Sequence, residues 1–386
     1  MAGKGSFGSL WRAGASLSAL TLVSRVLGLL REMTKAAFLG TSPLADAFGI
    51  AFMIPNLFRR LFAENSISVA FIPAFRALLE EDGNKAESLR RAARFVGAVF
   101  TVVSFLTALI VGIGIIAAPL IVPFFYDRTQ TVTLTEMTLL TRIMFPYLLV
   151  ISIAAFFQGI LNTLKIFAPS GFTPILFNII VIGGTYLLSP HTANPARAMA
   201  IGVIVGGCVQ ALFQLPFVLR QGWRIAPCSL RAAFANPGVR IVLARIAPTI
   251  VGMAAYQLND LVSTALAGNA GPGIVASLQY SLRLQELMLG VFAVSIGTVI
   301  LPDLSGMAQR EEWGGFNDML AHSIRIIALI TIPVTFFSLV TGREIITFIY
   351  RGGGFGDRSV SLTLRVFLCH ISGLFFIAAN RIIAPA

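Results

Sequence analysis

The sequence predicts an all-helical polytopic membrane protein with two lobes, and three observations support that prediction. The 386 residues are 56% hydrophobic and only 12% charged, with a mean hydropathy of +0.84, which is too apolar for an ordinary soluble chain. Apolar stretches long enough to cross a bilayer recur, and no strand-length alternation separates them. Short patterns from the first half return in the second half, which is typical of duplicated lobes.

Ten apolar stretches approach the roughly 20 residues that a helix needs to span a bilayer. They cover about residues 15–39, 44–75, 95–125, 138–163, 171–189, 197–219, 241–267, 275–301, 320–342 and 361–384. Prolines inside them predict kinks rather than helix ends. We interpret the first stretch as a retained helix and not a cleaved leader, because Arg25 and Arg31 interrupt it and no small-residue cleavage pattern follows.

Two loops carry most of the basic residues and predict the orientation. Residues 76–94 hold five Lys or Arg, and residues 220–245 hold another five. The positive-inside rule makes these loops cytoplasmic, and ten spans then place the N terminus in the cytoplasm. The loop with Arg343, Arg351 and Arg358 is the exception. A net charge of +12 would suggest nucleic acid in a soluble domain, but the high hydropathy excludes that partner.

An internal repeat divides the chain into domains. The pattern Ser66-Ile67-x-x-x-Phe71-Ile72-Pro73 returns 229 residues later as Ser295-Ile296-x-x-x-Ile300-Leu301-Pro302. We therefore expect a first lobe of six spans over 1–222, a cytoplasmic linker over 223–240 and a partial second lobe of four spans over 241–386. Counted this way the second lobe lacks C-terminal spans, so either the chain is truncated or another chain supplies them.

Charged residues inside the spans predict the functional site. An arginine at mid-bilayer costs about 2.5 to 3.5 kcal/mol on insertion scales, so these side chains are expected to line a watery cavity. The first span places polar residues at helical spacing, the second adds Arg59, and later spans add Asp260 and the i,i+3 pair Arg283 and Glu286. The set in the first span is Ser24, Arg25, Gly28, Arg31 and Glu32.

Other intramembrane charges have two open interpretations. Lys35 and Arg60 either face the cavity or reach headgroups from helix ends, and headgroup contact is favoured for Arg142 and Arg365. Asp46 either contacts substrate or caps its helix. Asp260 either pairs with an arginine or binds a cation.

Intramembrane arginines that outnumber the nearby acidic side chains indicate a binding site for an anion. The guanidinium fork suits phosphate, and an anion at bilayer depth is most simply a lipid phosphate or diphosphate. An enzyme is not expected, because Glu80-Glu81-Asp82 and Glu311-Glu312 look like solvated turns. Three cysteines lie far apart without metal-ligand spacing, so no metal cofactor is indicated beyond a possible ion at Asp260.

Four motifs resemble one known family. They are Ser24-Arg25-Val-Leu-Gly28-Leu-Leu-Arg31-Glu32, Ala45-Asp46-Ala-Phe, Pro55-Asn56-Leu57-Phe58-Arg59-Arg60-Leu-Phe-Ala-Glu64 and Ala70-Phe71-Ile72-Pro73. The chain resembles the MurJ (MviN) family of bacterial lipid II flippases, in the multidrug/oligosaccharidyl-lipid/polysaccharide (MOP) exporter superfamily. Tyr280-Ser-Leu-Arg283-Leu-Gln-Glu286 and Ile300-Leu301-Pro302 extend the similarity to the second half.

The resemblance implies a MATE-like, two-lobed fold of fourteen spans with a cationic cavity formed by the first two helices of each lobe. Carried over by motif, the substrate-binding residues are Arg25, Arg31, Asp46, Arg59 and Arg283, with Glu32 where the family often has aspartate. Ser24 and Glu286 join them as neighbours in the same motifs. The resemblance also implies a tail groove in the last two helices and a sodium site that includes Asp260.

The function that follows is transport of lipid II from the cytoplasmic to the outer leaflet of the bacterial inner membrane by alternating access. The cavity arginines are expected to hold the diphosphate, and the membrane potential or sodium to supply energy. Expected partners are lipid II, membrane lipids and the machinery of peptidoglycan synthesis. The alternative is a related MOP exporter of another polyprenyl-linked glycan or of drugs, although a drug exporter should show an aromatic and acidic cavity. A scaffold role also stays open.

Overall fold

The protein is described by a computed structural model that covers the backbone of residues 4–64, 67–81 and 85–383. Side chains are described over the same ranges apart from 4–18, 62–64, 67–68, 255–256 and 290–302. Fourteen α-helices lie in this part of the chain: α1 Lys4–Leu39, α2 Pro43–Phe58, α3 Ile72–Leu79, α4 Lys85–Ile121, α5 Thr131–Met144, α6 Tyr147–Thr163, α7 Ala168–Leu188, α8 Pro195–Arg220, α9 Leu230–Ala235, α10 Pro237–Ala270, α11 Ile274–Gln309, α12 Trp313–Tyr350, α13 Asp357–Ser372 and α14 Leu374–Ile383. β-Pairing in the described residues is limited to one isolated bridge, Gly352 to Phe355. The predicted all-helical fold is confirmed.

The predicted count of ten spans is not confirmed. Among the described residues, six helices are long and apolar enough to cross a membrane, or seven if α13 and α14, bent by 44°, form one span. The predicted second span, 44–75, is not a continuous α-helix, because two π-helical segments, Arg59–Glu64 and Ile67–Phe71, separate α2 from α3. The predicted spans 15–39 and 275–301 lie partly outside the residues whose side chains are described.

Packing divides the chain into two compact units. The first comprises Met1–Thr34 and Ala47–Asn269, and the second comprises Lys35–Asp46 and Ala270–Ala386. The predicted lobe boundaries describe a sequence repeat rather than packing, and they stay a prediction. Of the repeated pattern itself, Ser66 and the side chains of 295–302 lie outside the described residues.

The core of the first unit is an aromatic cluster. Phe71 stacks on Phe95 with ring centroids 5.6 Å apart and planes 8° apart, and Phe75 meets Trp223 edge to face at 4.9 Å. Phe156 closes the cluster against Phe71 at 5.1 Å. Because lipid is as apolar as these rings, close packing and ring geometry hold the helices together more than exclusion of water does.

A proline in α4 shows how the fold tolerates kinks. Pro119 lies inside the helix and has no amide hydrogen, so the carbonyl of Ile115 loses its helical donor. The Nε of Arg142 in α5 donates to that carbonyl oxygen at 3.2 Å. An intramembrane arginine therefore satisfies a backbone acceptor that lipid cannot satisfy.

In the second unit, the turn between α1 and α2 packs into α11, α12 and α13. The amide of Gly354 donates to the carbonyl of Ala37 at 2.6 Å, and the Tyr280 hydroxyl donates to the carbonyl of Gly40 at 3.0 Å. The hydroxyls of Thr41 and Ser359 lie 2.8 Å apart. Residues 35–46 are therefore an integral part of this unit although they are remote from it in sequence.

Candidate substrate-binding site

The polar face of α1 begins with Ser24 and Arg25 in the first unit. Arg25 is exposed and has no hydrogen-bond or ion-pair partner among the described residues. The half-buried Ser24 accepts a hydrogen bond at its carbonyl oxygen from Nδ2 of Asn178 in α7, at 3.3 Å. Gly28, one turn on, is buried. This face therefore packs against α7 and still presents one uncompensated cation.

Arg31 lies further along the same helix, and its charge is partly compensated. Its Nη2 lies 3.0 Å from Oε1 of Glu32, with the two side chains 22% and 17% exposed. The guanidinium also lies 5.6 Å from the ring centre of Phe177, a cation–π distance. A contact with an aromatic ring stabilises the guanidinium without using up its N–H donors.

Arg59 opens the π-helical segment after α2. Its Nε donates to Oδ1 of Asn56 at 2.8 Å, and both Arg59 and Arg60 are half-buried. π-Helical turns often mark functional positions, because they change which side chains share a face. The side chain of Glu64, the predicted partner of Arg60, lies outside the described residues.

Arg283 lies on α11 in the second unit. Its Nη1 is 3.1 Å from Oε2 of Glu286, with side-chain exposures of 27% and 60%, so the predicted i,i+3 pair forms. The Nε of Arg283 is buried and has no acceptor in the described part of the chain. A buried donor without an acceptor is costly, which makes this guanidinium suited to an anionic ligand.

Asp46 is fully buried in the second unit and caps a helix. Its Oδ2 accepts from the amide of Gly273 at 2.6 Å and its Oδ1 from the amide of Ala276 at 2.8 Å. Gly273 has φ +89°, and these amides are at the amino end of α11, where a negative charge is favoured. The carboxylate therefore caps α11, and its predicted contact with substrate stays a prediction.

Lys35 shows a role that the sequence interpretation missed. It is 4% exposed, its Nζ donates to Oε1 of Gln279 at 2.6 Å, and it lies 4.9 Å from the ring centre of Tyr280. A buried ammonium does not reach headgroups, so the headgroup interpretation of Lys35 is wrong. The signal that could have indicated these contacts is the pair Gln279 and Tyr280, an amide and an aromatic residue close to Arg283 in an apolar helix.

Asn178 and Phe177 were also missed. The Oδ1 of Asn178 is buried without a donor in the described residues, and Asn178 directly follows Phe177, whose ring Arg31 contacts. A single amide in the apolar run of α7 is the available signal, since polar residues in such runs usually join helices or bind ligands.

Asp260 is half-buried on α10 and has no partner among the described residues. Among the described residues, no three His, Cys, Asp or Glu side chains lie together in a way that could hold a metal ion. Its role as a sodium ligand stays a prediction. Chemically, the site residues thus offer guanidinium donors that the protein satisfies only in part.

Comparisons with known proteins assign the chain to a family. The family described as "Lipid II flippase MurJ" matches residues 35–386. A probable lipid II flippase MurJ of Treponema pallidum is 51% identical over 379 residues, which cover 98% of this chain and 71% of that protein. A solved lipid II flippase MurJ in an inward closed conformation has a TM-score of 0.80 and 26% identity over 96% of this chain and 74% of its own.

The fold extends to a wider superfamily. An inward-facing multidrug resistance MATE transporter of the MOP superfamily has a TM-score of 0.69 over 97% of this chain and 85% of its own, at 14% identity, a similarity that concerns the fold alone. The predicted MATE-like fold is thus confirmed, and a flippase family is one of transporters and not of enzymes. This chain is a multi-pass helical membrane protein that belongs to the MurJ family of lipid II flippases.

Proposed function

We propose that this protein moves lipid II from the cytoplasmic to the outer leaflet of the bacterial inner membrane by alternating access. The similarity to MurJ relatives over nearly the whole chain supports the substrate. The observation that carries the mechanism is the unsatisfied state of Arg25 and Arg283. Arg25 has no partner among the described residues, and a buried Nε of Arg283 has no acceptor there.

The diphosphate is the part of lipid II that these groups recognise. Guanidinium groups donate two parallel hydrogen bonds to phosphate oxygens, and such charge-assisted bonds are about twice as strong as neutral ones. In the proposed mechanism, Arg25, Arg31, Arg59 and Arg283 bind the diphosphate, while Glu32 and Glu286 hold Arg31 and Arg283 when substrate is absent. Ser24 and the amide of Asn178 lie beside Arg25 and hydrate or contact the headgroup.

The membrane potential is the proposed energy source. Moving about two negative charges outward across an inside-negative membrane is favoured by about 2.3 kcal/mol per charge per 100 mV. After release, the same potential draws the cationic site back inward. Imposing and then collapsing a potential across vesicles should therefore change the flipping rate several-fold, and an unchanged rate would remove the potential from the mechanism.

The arginines are tested by substitution. Arg25→Ala and Arg283→Ala should each lower lipid II flipping in vesicles at least tenfold and fail to complement a strain depleted of its flippase. Arg325→Ala is the matched control, since Arg325 is an exposed arginine on α12 outside the proposed site. Wild-type flipping by Arg25→Ala and Arg283→Ala, at equal amounts in the membrane, would refute the proposed diphosphate contact.

A further inference from the structure

A different site, lined by apolar residues, lies within the first unit between α4 and α10. The two helices enclose a cavity of about 330 Å³, open on one side and within the range of roughly 300 to 1,000 Å³ that is common for ligand pockets. Its lining residues run from Val99 to Ile110 on α4 and from Val239 to Ile250 on α10. At 1.5 Å per residue each wall is about 16 Å long, close to half of the roughly 30 Å hydrocarbon core.

The lining determines what kind of group this cavity can hold. Thr107 is the single polar residue among the described lining residues, and its hydroxyl donates to the carbonyl of Val103 at 2.7 Å. No headgroup would find a hydrogen-bond partner inside. Val102 and Val242, at the back of the cavity, are buried in the aromatic cluster of the first unit, so the wall behind the occupant is closely packed. The occupant is therefore a hydrocarbon chain.

The charges lie at one end of this cavity. At that end α4 and α10 approach each other closely: a Cβ added at Gly238 would lie 2.6 Å from the ring of Phe95. Exposed Arg240 directly follows Val239, and exposed Arg94 precedes Phe95. Arg240 has no ion-pair partner within 4.0 Å in the described part of the chain, and Arg94 has only a longer-range attraction to Glu87, which is already paired with Arg91. The positive charges therefore lie where the headgroup of a lipid would be, if its hydrocarbon chain filled the cavity over the depth of one leaflet.

We infer that this groove binds one acyl chain of an anionic phospholipid, with the lipid phosphate at Arg240 and Arg94. Charge and length together select this occupant. A zwitterionic lipid gains less from two unpaired arginines, and the groove matches the depth of one leaflet. The inference concerns a resident lipid of the bilayer and does not depend on which lipid the protein transports.

Native mass spectrometry of the purified full chain tests the inference. The chain is equilibrated in mixed micelles with phosphatidylglycerol, with phosphatidylethanolamine, or with a polyprenyl diphosphate as competitor. We expect one phosphatidylglycerol per chain to be retained at least fivefold more than phosphatidylethanolamine. Ala247→Trp, which places a large side chain from the exposed edge of the lining into the groove, should lower that retention at least fivefold.

Two matched variants separate the site from general effects. Ala244→Trp makes the same change on the same helix at an exposed position outside the lining, and it should retain lipid as the parent does. Arg240→Gln should lower the preference for phosphatidylglycerol about threefold, whereas Arg325→Gln should not. Equal retention of the two phospholipids, equal retention by Ala247→Trp and the parent, or displacement of the bound lipid by polyprenyl diphosphate would each overturn the inference.

Discussion

Two regions of this protein bring charge into an apolar environment and treat it in opposite ways. In the turn from Lys35 to Asp46, both charged side chains are buried, and the protein itself supplies their partners. On the preceding turns of α1, Arg25 is exposed without a partner among the described residues, and Arg31 is only partly compensated. Full burial with partners that the protein itself supplies indicates a structural charge, while incomplete satisfaction indicates a ligand.

Asp46 gives the largest expected effect and the most direct way to break this comparison. Asp46→Ala leaves the amides of Gly273 and Ala276 without acceptors in a buried place, and hydrogen bonds to charged groups contribute about 1.5 to 3 kcal/mol each. We expect the free energy of unfolding in detergent to fall by roughly 3 kcal/mol. Asp46→Asn, which keeps an acceptor oxygen, should lose about half as much.

The control for Asp46 is Arg25→Gln, an exposed change that should alter unfolding by less than about 0.5 kcal/mol. Should Asp46→Ala prove as stable as the parent while flipping is lost, the carboxylate would belong with the substrate and the comparison would fail. Loss of both properties together would leave capping as the sufficient explanation.

The sequence was a better guide to composition and local spacing than to tertiary partners. The helical fold, the family and the Arg283–Glu286 pair were all predictable, because hydropathy, motifs and i,i+3 spacing are local properties. That Asp46 caps a helix through Gly273, 227 residues later, was not predictable, since it depends on how distant helices pack. The buried state of Lys35 had the same cause.

The predicted count of ten spans was not confirmed, in part for a related reason. Counting apolar residues treats 44–75 as one span, but the segments Arg59–Glu64 and Ile67–Phe71 take a π-helical path, and such a path has no periodic signal in a single sequence. Parts of the predicted spans 15–39 and 275–301 lie outside the residues whose side chains are described, so these two spans stay predictions.

Lys35 gives the second largest effect and tests the structural half of the comparison independently of Asp46. Lys35→Met keeps the length of the side chain but leaves Oε1 of Gln279 without its donor and removes the contact with the Tyr280 ring. An unsatisfied buried acceptor and a lost cation–π contact together cost roughly 2 kcal/mol. The measurement is the melting temperature in the same detergent.

A double variant, Lys35→Met with Gln279→Met, should recover part of the Lys35→Met loss, because it removes the orphaned acceptor as well as its donor. No loss of stability in Lys35→Met would show that this ammonium is not part of the structural framework, and Lys35 would then join the substrate residues.

Arg31 gives the smallest expected effect on stability and sharpens the comparison, since it lies between the two extremes. Its ion pair with Glu32 is about one-fifth exposed, and partly exposed pairs contribute about 0 to 1 kcal/mol, with the contact to Phe177 adding about 0.5 to 1 kcal/mol. Arg31→Gln should therefore lower the free energy of unfolding by roughly 1 kcal/mol and lower lipid II affinity at least tenfold.

Arg31→Lys is the control, because it keeps the charge but not the planar fork, so it should restore stability more than affinity. If lysine restored stability and affinity equally, charge alone would act at this position. The contact of the guanidinium with Phe177 would then serve packing rather than recognition.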